Sequence, residues 1–182
     1  MTISVDGVRA DGPTAVLRAR SEYQLVLTEH VCAGTRLFAI EGDPTHTPTR
    51  YSVQVDWDLH IDIPPGYATE ETLDRFYWRF TNHSCEPNAV VCGRDMFALT
   101  CIEPWQQITF NYNTTEYDMA EPFDCRCGDD RCEGTVRGFR WLAPAQQRRL
   151  EPILASYLRA TLGDNVAGGS PPPPIAWATT CR

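Results

Sequence analysis

Short strand-like runs of apolar residues fill most of the first two thirds of the chain. In residues 51–55 and 59–63 every second side chain is apolar, which is typical of half-buried β-strands. Polar or Pro/Gly-rich turns separate the runs. The pattern predicts a mostly β domain whose strands cover residues 23–27, 36–40, 51–55, 59–63, 89–92, 96–102 and 108–112.

Two segments have apolar residues at helical spacing instead. The first follows Thr69, which we expect to cap it, and Glu70 and Glu71 suit its positive N-terminal end. The second covers residues 145–161, and Pro152 within it predicts a kink or a late start. The domain is therefore expected to be α+β.

The last twenty residues, GDNVAGGSPPPPIAWATTCR, differ in composition from the rest of the chain. They cannot supply a core, and four consecutive prolines favour an extended polyproline conformation. We predict a flexible tail over residues 163–182.

Composition and charge narrow the classes of partner. The chain has 182 residues, of which 42% are hydrophobic and 22% charged, as in a soluble domain with a real core. It shows neither a signal-peptide pattern nor an apolar run long enough to span a membrane. A formal net charge of −8 argues against direct nucleic-acid binding and suits a basic partner such as a lysine-rich peptide.

Three of the eight cysteines lie close together, in the run CRCGDDRC. Cys125 and Cys127 are too close in sequence to form an easy disulfide, and such crowding favours zinc, which takes four ligands in a tetrahedron. The alternative is a set of ordinary buried or free cysteines. Spacing alone leaves six candidates for the fourth ligand: Cys32, His83, Cys85, Cys92, Cys101 and Cys181.

Three stretches of sequence match motifs of one family. Residues 79–88, RFTNHSCEPN, fit R-F-x-N-H-S-C-x-P-N at every defined position, and residues 125–134 fit the pattern C-x-C-x4-C-x-G. Residues 107–112, QITFNY, match E-L-T-x-D-Y in part, and residues 22–42 match the family's opening strands more weakly. In these motifs the sequence resembles the SET-domain protein-lysine methyltransferases that carry a post-SET zinc segment.

The resemblance implies a SET-domain fold. Such a fold consists of short β-sheets with a knot-like threaded segment, a zinc-bound post-SET loop and a C-terminal helix. It divides the chain into an N-terminal segment (1–19), a SET domain (20–115), a post-SET zinc segment (116–142), a C-terminal helix (143–162) and the tail (163–182).

The resemblance also implies cofactors and roles for single residues. Zinc is implied as a structural ion held by Cys85 together with Cys125, Cys127 and Cys132, and S-adenosylmethionine as the methyl donor. Tyr112 is implied as the catalytic residue, and Asn88 is expected to bond the backbone of the threaded segment. The cofactor-binding residues implied are Arg79, Phe80, Asn82, His83 and Tyr51.

The implied reaction is methyl transfer to the side-chain amine of a protein lysine. Because the lysine pKa is near 10.4, forming the neutral amine at pH 7 costs about 4.6 kcal/mol in water. A dry channel and a nearby sulfonium both lower that cost. The expected substrate is a basic, lysine-containing peptide or protein, met in the cytoplasm, or in the nucleus if the source is eukaryotic.

Two departures from the family pattern bear on this expectation. The family's Gly-x-Gly cofactor loop corresponds to residues 18–25, RARSEYQL, which lack glycine, and Trp105 stands where a turn glycine is expected. The acidic loop 113–124 could attract a basic peptide or simply be solvated. Two alternatives therefore stay open: a catalytically silent SET-fold module that binds peptides or partners, and an enzyme redirected to a small molecule.

Overall fold

The computed structural model describes residues 8–9, 13–19 and 22–162. Within these residues most regular structure is short β-strand, joined by three short α-helices and several 3₁₀ turns. In chain order the strands and helices are β1 (Val8–Arg9), β2 (Thr14–Ala19), β3 (Glu22–Leu27), β4 (Arg36–Ala39), β5 (Asp43–Thr45), β6 (Val53–Asp56), β7 (Leu59–Asp62), α1 (Thr69–Arg75), β8 (Asn82–His83), β9 (Ala89–Cys92), β10 (Asp95–Ala98), β11 (Thr109–Phe110), β12 (Phe123–Asp124), β13 (Thr135–Val136), α2 (Pro144–Leu150) and α3 (Ser156–Arg159).

The strands form small sheets rather than one large one. Three antiparallel sheets have three strands each, in the orders β1-β2-β3, β4-β10-β9 and β5-β7-β6. A parallel pair joins β8 to β11, and an antiparallel pair joins β12 to β13. The predicted mostly β, α+β fold is confirmed.

Several predicted strands have different ends in the structure. The strand predicted over 108–112 is only two residues long, because the Asn111 side chain accepts the Asn113 N–H at 3.0 Å and turns the chain into a 3₁₀ helix, Tyr112–Thr114. Tyr112 therefore begins a turn instead of ending a strand. Its side-chain direction is set by that turn and not by strand alternation.

Strand β2 was not predicted by the sequence pattern. It pairs with β3 along its whole length, from Thr14↔Leu27 to Ala19↔Glu22. Residues 20 and 21 connect the strands and lie outside the described residues. They belong to the glycine-free stretch 18–25. On its other edge β3 meets the segment that leads to β11, since the Leu27 N–H donates to the Gln106 carbonyl at 3.2 Å.

The turn before β11 contains a strained residue. Trp105 has φ 67°, and it is the one non-glycine with positive φ among the described residues. Left-handed backbone costs a residue with a Cβ roughly 1–2 kcal/mol. The strain lies at the position where the family pattern predicts glycine.

Both predicted helices need correction. Helix α1 begins at Thr69, but its N-cap is Ala68, whose N–H is accepted by the Glu71 carboxylate at 3.1 Å; the expected cap at Thr69 was wrong by one residue. The single helix predicted over 145–161 was also wrong. The chain forms α2, a 3₁₀ turn containing Pro152, and then α3, so the proline breaks the helix where a kink was expected.

The main core lies between the three-stranded sheets and α1. Fully buried members include Leu25, Leu27, Met96 and Ile108. A second, smaller core holds the C-terminal segment, with Phe139, Leu150, Leu154 and Leu158 buried together. None of the described helices is long and apolar enough to cross a membrane. The predicted tail, residues 163–182, lies outside the described residues.

Candidate active site and metal centre

The parallel pair β8–β11 brings two distant motifs side by side. Its register places Asn82 opposite Thr109 and His83 opposite Phe110. The Ser84 N–H extends the pairing to the Phe110 carbonyl at 3.1 Å. The segment 82–88 and the segment that carries Tyr112 therefore share one surface.

Asn88 binds the backbone on both sides of Ile108. Its Nδ2 donates to the Gln107 carbonyl at 2.8 Å, and its Oδ1 accepts the Thr109 N–H at 2.9 Å. The side chain is 9% exposed, so neither backbone group has easy access to water as a substitute partner. Asn88 makes the backbone bonds that the sequence predicted for it.

His83 connects the predicted catalytic residue to the thiols. Its Nδ1 accepts the Tyr112 N–H at 3.1 Å, and its Nε2 lies 3.4 Å from the Cys85 Sγ. Burial lowers the pKa of His83 to about 4, so the ring is neutral at pH 7. Since Nδ1 accepts, the single ring proton is on Nε2 and is directed at the sulfur.

Tyr112 is held with its hydroxyl in one orientation. The O–H donates to the Thr81 carbonyl at 2.9 Å, and the ring contacts those of Phe110 and His83 with centroids 4.7 and 5.3 Å apart. Burial, together with the negative charge of Glu116, raises the pKa of Tyr112 well above its ordinary value. The hydroxyl is therefore neutral at physiological pH, and its oxygen can accept a hydrogen bond.

Tyr112 lies in a cleft that opens to solvent. Tyr51 and Arg79 line the same cleft, with the guanidinium carbon 4.1 Å from the centre of the Tyr51 ring. The buried Arg79 Nε has no hydrogen-bond partner among the described residues. Two predicted cofactor-binding residues thus meet the predicted catalytic residue in one cleft.

Glu116 supplies a buried negative charge to this cleft. From the sequence it was expected only as one acid of the loop 113–124. It is 7% exposed. Its Oε1 accepts the Gln54 N–H at 2.8 Å, and its Oε2 is 3.7 Å from the Nε2 of His60. Glu121 also lines the cleft, near Arg50 at 3.8 Å.

The other two acids of that loop have structural contacts. Asp118 accepts from the Arg140 guanidinium at 2.9 Å and from the Trp141 indole N–H at 2.7 Å. Asp124 accepts from the Thr135 hydroxyl at 3.1 Å. Of the four acids of the loop, Glu116 and Glu121 line the cleft, together with Arg50 and Arg79.

The remaining predicted cofactor-binding residues lie outside the residues that line this cleft. Phe80 packs against Tyr23, with ring centroids 5.0 Å apart, and Asn82 Nδ2 donates to the Tyr23 carbonyl at 2.9 Å. The Asn82 bond joins β8 to β3, whereas the His83 ring contacts Tyr112 and Phe123. The two residues of the cofactor-loop region that connect β2 to β3 are not described.

Four thiols meet beside His83. The ligand atoms of Cys85, Cys125, Cys127 and Cys132 all lie within 4.8 Å of one another, and the Cys85 and Cys125 sulfurs are 3.8 Å apart. Zinc–sulfur bonds of about 2.3 Å at tetrahedral angles require about the same separation. This four-thiol cluster fits a structural zinc ion, and Cys85 is the fourth member that spacing alone could not identify.

The backbone supports thiolates in the four-thiol cluster. The Glu133 N–H donates to the Cys85 Sγ at 3.3 Å and the Cys127 N–H to the Cys125 Sγ at 3.4 Å. Burial raises the pKa of Cys85 far above its ordinary value and that of Cys125 to about 11. Buried thiolates therefore need a cation to compensate their charge, as zinc would.

Glu133 fastens the post-SET segment to the rest of the site and was missed by the sequence analysis. Its fully buried side chain pairs with Arg149 at 3.0 Å and accepts from Asn113 Nδ2 at 2.6 Å. Asn113 in turn accepts the Gly138 N–H at 2.9 Å. The one available signal was its position directly after Cys132.

Comparisons with known proteins identify the family of the chain. The SET domain family model matches residues 14–113. The chain is 31% identical over 98 residues to histone-lysine N-methyltransferase ash1 of Drosophila melanogaster, covering 50% of this chain and 4% of that protein. It is 37% identical over 117 residues to an H3 lysine-36 specific histone-lysine N-methyltransferase of Chaetomium globosum, covering 56% of this chain and 13% of the relative.

Solved structures show the same fold. The chain resembles KRYPTONITE in complex with mCHG DNA and SAH with a TM-score of 0.52 and 23% identity, over 70% of this chain and 30% of that one. The complex that also contains an H3(1-15) peptide gives a TM-score of 0.51 and 24% identity, over 66% and 28%. The chain spans only a small part of the curated relatives that it matches. Its family model nevertheless covers more than half of its residues, and the chain belongs to the SET-domain family.

Proposed function

We propose that this chain transfers a methyl group from S-adenosylmethionine to the side-chain amine of a lysine in a protein. The observation that carries the proposal is the Tyr112 hydroxyl, which lies in the cleft and is oriented by the Thr81 carbonyl. Membership of the SET-domain family and relatives named histone-lysine N-methyltransferases support it.

The cleft suits a lysine side chain. Aromatic walls from Trp78 and Phe110 can pack along its aliphatic stem. At the Tyr112 hydroxyl the negative charge of Glu116 outweighs the positive charge of Arg50, which favours a cationic side chain there. A basic peptide is therefore the favoured substrate class, and a histone tail is the first one to test, because the relatives act on histones. In a eukaryotic source the action would be nuclear, and otherwise cytoplasmic.

Tyr112 would orient the amine. Its O–H is committed to Thr81, so the oxygen can accept an N–H from the substrate and direct the nitrogen lone pair away from the ring. Because burial raises the pKa of Tyr112, the hydroxyl stays neutral and does not act as a general base. When bound, S-adenosylmethionine supplies the electrophilic methyl group, and its positive sulfonium favours the neutral amine.

The cofactor would contact the backbone of β8 rather than the ring of His83. That ring is committed to the Tyr112 N–H and to Cys85, and Asn82 uses its Nδ2 on Tyr23 while its oxygen stays available. Arg79, Phe80 and Tyr51 would complete the cofactor side of the site.

The proposed zinc ion would have a structural role. It would join Cys85 to the post-SET segment, whose Phe123 ring lies 5.9 Å from the Tyr112 ring and 5.8 Å from that of His83. By holding Phe123 in place, the four-thiol cluster would help to shape the catalytic site without taking part in the reaction.

A radiolabelled-methyl assay tests the proposal, with histone H3 and basic peptides as acceptors. We expect transfer by the full chain and a loss of at least about 100-fold for Tyr112→Phe, as for other groups that act in the transition state. The matched control is Tyr67→Phe, which removes an exposed hydroxyl bonded to Arg75 at 3.3 Å and should retain full activity.

Calorimetric titration with S-adenosylmethionine separates the proposal from a catalytically silent module. Binding together with transfer supports the enzyme. A folded, zinc-loaded chain that neither binds the cofactor nor transfers methyl groups would contradict it and favour the silent module.

A further inference from the structure

A second group of metal-ligating side chains lies at the surface, outside the residues that line the Tyr112 cleft. One nitrogen of His30 and the sulfurs of Cys32 and Cys101 lie within 4.8 Å of one another, and all three residues are exposed. The carboxylate of Glu103 is 3.7 Å from His30 Nε2. Neither cysteine forms a disulfide. We call these four residues the His30 cluster.

Backbone pairing accounts for this arrangement. Val31 and Ile102 form an antiparallel bridge and exchange both hydrogen bonds, at 3.0 and 2.9 Å. In an antiparallel ladder the residues on either side of such a pair also lie opposite each other. His30 therefore faces Glu103, and Cys32 faces Cys101. Because side chains alternate between faces with a period of two, both pairs are on the same face.

We propose that the His30 cluster binds a divalent transition metal ion of the zinc class. Two thiolates and an imidazole are the donors that such ions prefer, and a carboxylate can serve as the fourth ligand. Tetrahedral zinc would bring the two sulfurs to about 3.8 Å. Rotation of the exposed side chains can bring the two sulfurs to that separation, since the backbone already holds the two pairs in register.

The metal would bind a preformed ladder and strengthen it. The segment after Cys101 contains the strained residue Trp105 and runs directly into β11 and Tyr112. A metal ion at the His30 cluster would fix this segment to the end of β3. The proposal does not depend on methyl transfer, because none of the four ligands lines the Tyr112 cleft.

The test is a zinc titration of the untagged full chain under reducing conditions, with bound metal measured by mass spectrometry after dialysis. We expect two equivalents in the full chain and one in Cys101→Ser. Glu103→Gln should retain the second ion with affinity at least about 10-fold weaker. The matched control is Glu29→Gln, a neighbouring exposed acid outside the cluster, which should bind two.

Loading the protein with Co²⁺ in place of zinc provides an independent measurement, because thiolate ligands of Co²⁺ give charge-transfer absorption. Two of the six proposed thiolate ligands belong to the His30 cluster, so Cys101→Ser should lose the part of the absorption that belongs to the second ion. One equivalent in the full chain, two in Cys101→Ser, or a disulfide between Cys32 and Cys101 that forms in place of metal binding would overturn the proposal. Loss of methyl transfer with two ions still bound would count against the proposed enzyme alone.

Discussion

The four-thiol cluster and the His30 cluster are built in opposite ways. In the first, Cys85 and the thiols of residues 125–132 come from loops, and one of them is almost fully buried. In the second, the ligands flank a hydrogen-bonded pair, Val31 and Ile102, and all are exposed. A metal ion would thus be required for local structure at the four-thiol cluster and would be added to existing structure at the His30 cluster.

The largest expected effect comes from removing one thiol at each cluster. Cys125→Ser should abolish zinc binding at the four-thiol cluster, lower the melting temperature by about 10 °C, and abolish methyl transfer, because Phe123 loses its position beside Tyr112. Cys101→Ser, measured under the same zinc-loaded conditions, should lower the melting temperature by much less and leave the activity unchanged. Calorimetry with zinc analysis checks both, and equal effects would break the comparison.

Glu133 tests how much of the post-SET segment is held without metal. Glu133→Gln removes the charge from a fully buried side chain that pairs with Arg149, so we expect a loss of about 2 to 3 kcal/mol in the free energy of unfolding. The matched control is Glu86→Gln, which breaks an exposed ion pair with Arg131 and should cost less than about 1 kcal/mol. Urea unfolding of zinc-loaded protein measures both. Similar losses would mean that burial does not distinguish the two pairs.

Asn88 follows Cys85 of the four-thiol cluster by three residues. Its side chain bonds the segment that follows Cys101 of the His30 cluster. Asn88→Ala leaves the Thr109 N–H and the Gln107 carbonyl without their partner. We expect a loss of about 2 kcal/mol in the free energy of unfolding, with zinc stoichiometry unchanged. A variant that loses zinc from the four-thiol cluster would show that the clusters depend on each other.

Trp105 gives the smallest effect and tests the ladder that supports the His30 cluster. Trp105→Gly relieves positive φ, and we expect it to be more stable than Trp105→Ala by about 1 kcal/mol, because both remove the exposed indole but only glycine adopts this backbone freely. Thermal unfolding of the two variants measures the difference. An alanine variant as stable as the glycine variant would show that the turn is unstrained.

Much of the local chemistry of the site can be predicted from sequence motifs. The motif 79–88 and the run 125–134 identified the thiols, Asn88 and the family, because their spacing is set within a few residues. The short strand-like runs located β3, β4, β7 and β9 to within about two residues. The pattern missed β1, β2, β5, β8, β12 and β13, and it misjudged the ends of β11 and the break at Pro152, where side-chain capping and a missing N–H outweigh periodicity.

Contacts between residues that are distant in sequence depend on the tertiary structure. Cys85 joins Cys125 across 40 positions and His83 bonds the Tyr112 N–H across 29, and no local pattern encodes such contacts. The burial of Glu116 and Glu133, and the meeting of Cys32 with Cys101, likewise depend on which strands pair. Hydrophobic periodicity specifies the face that a residue occupies, whereas the packing of the whole chain specifies its neighbours.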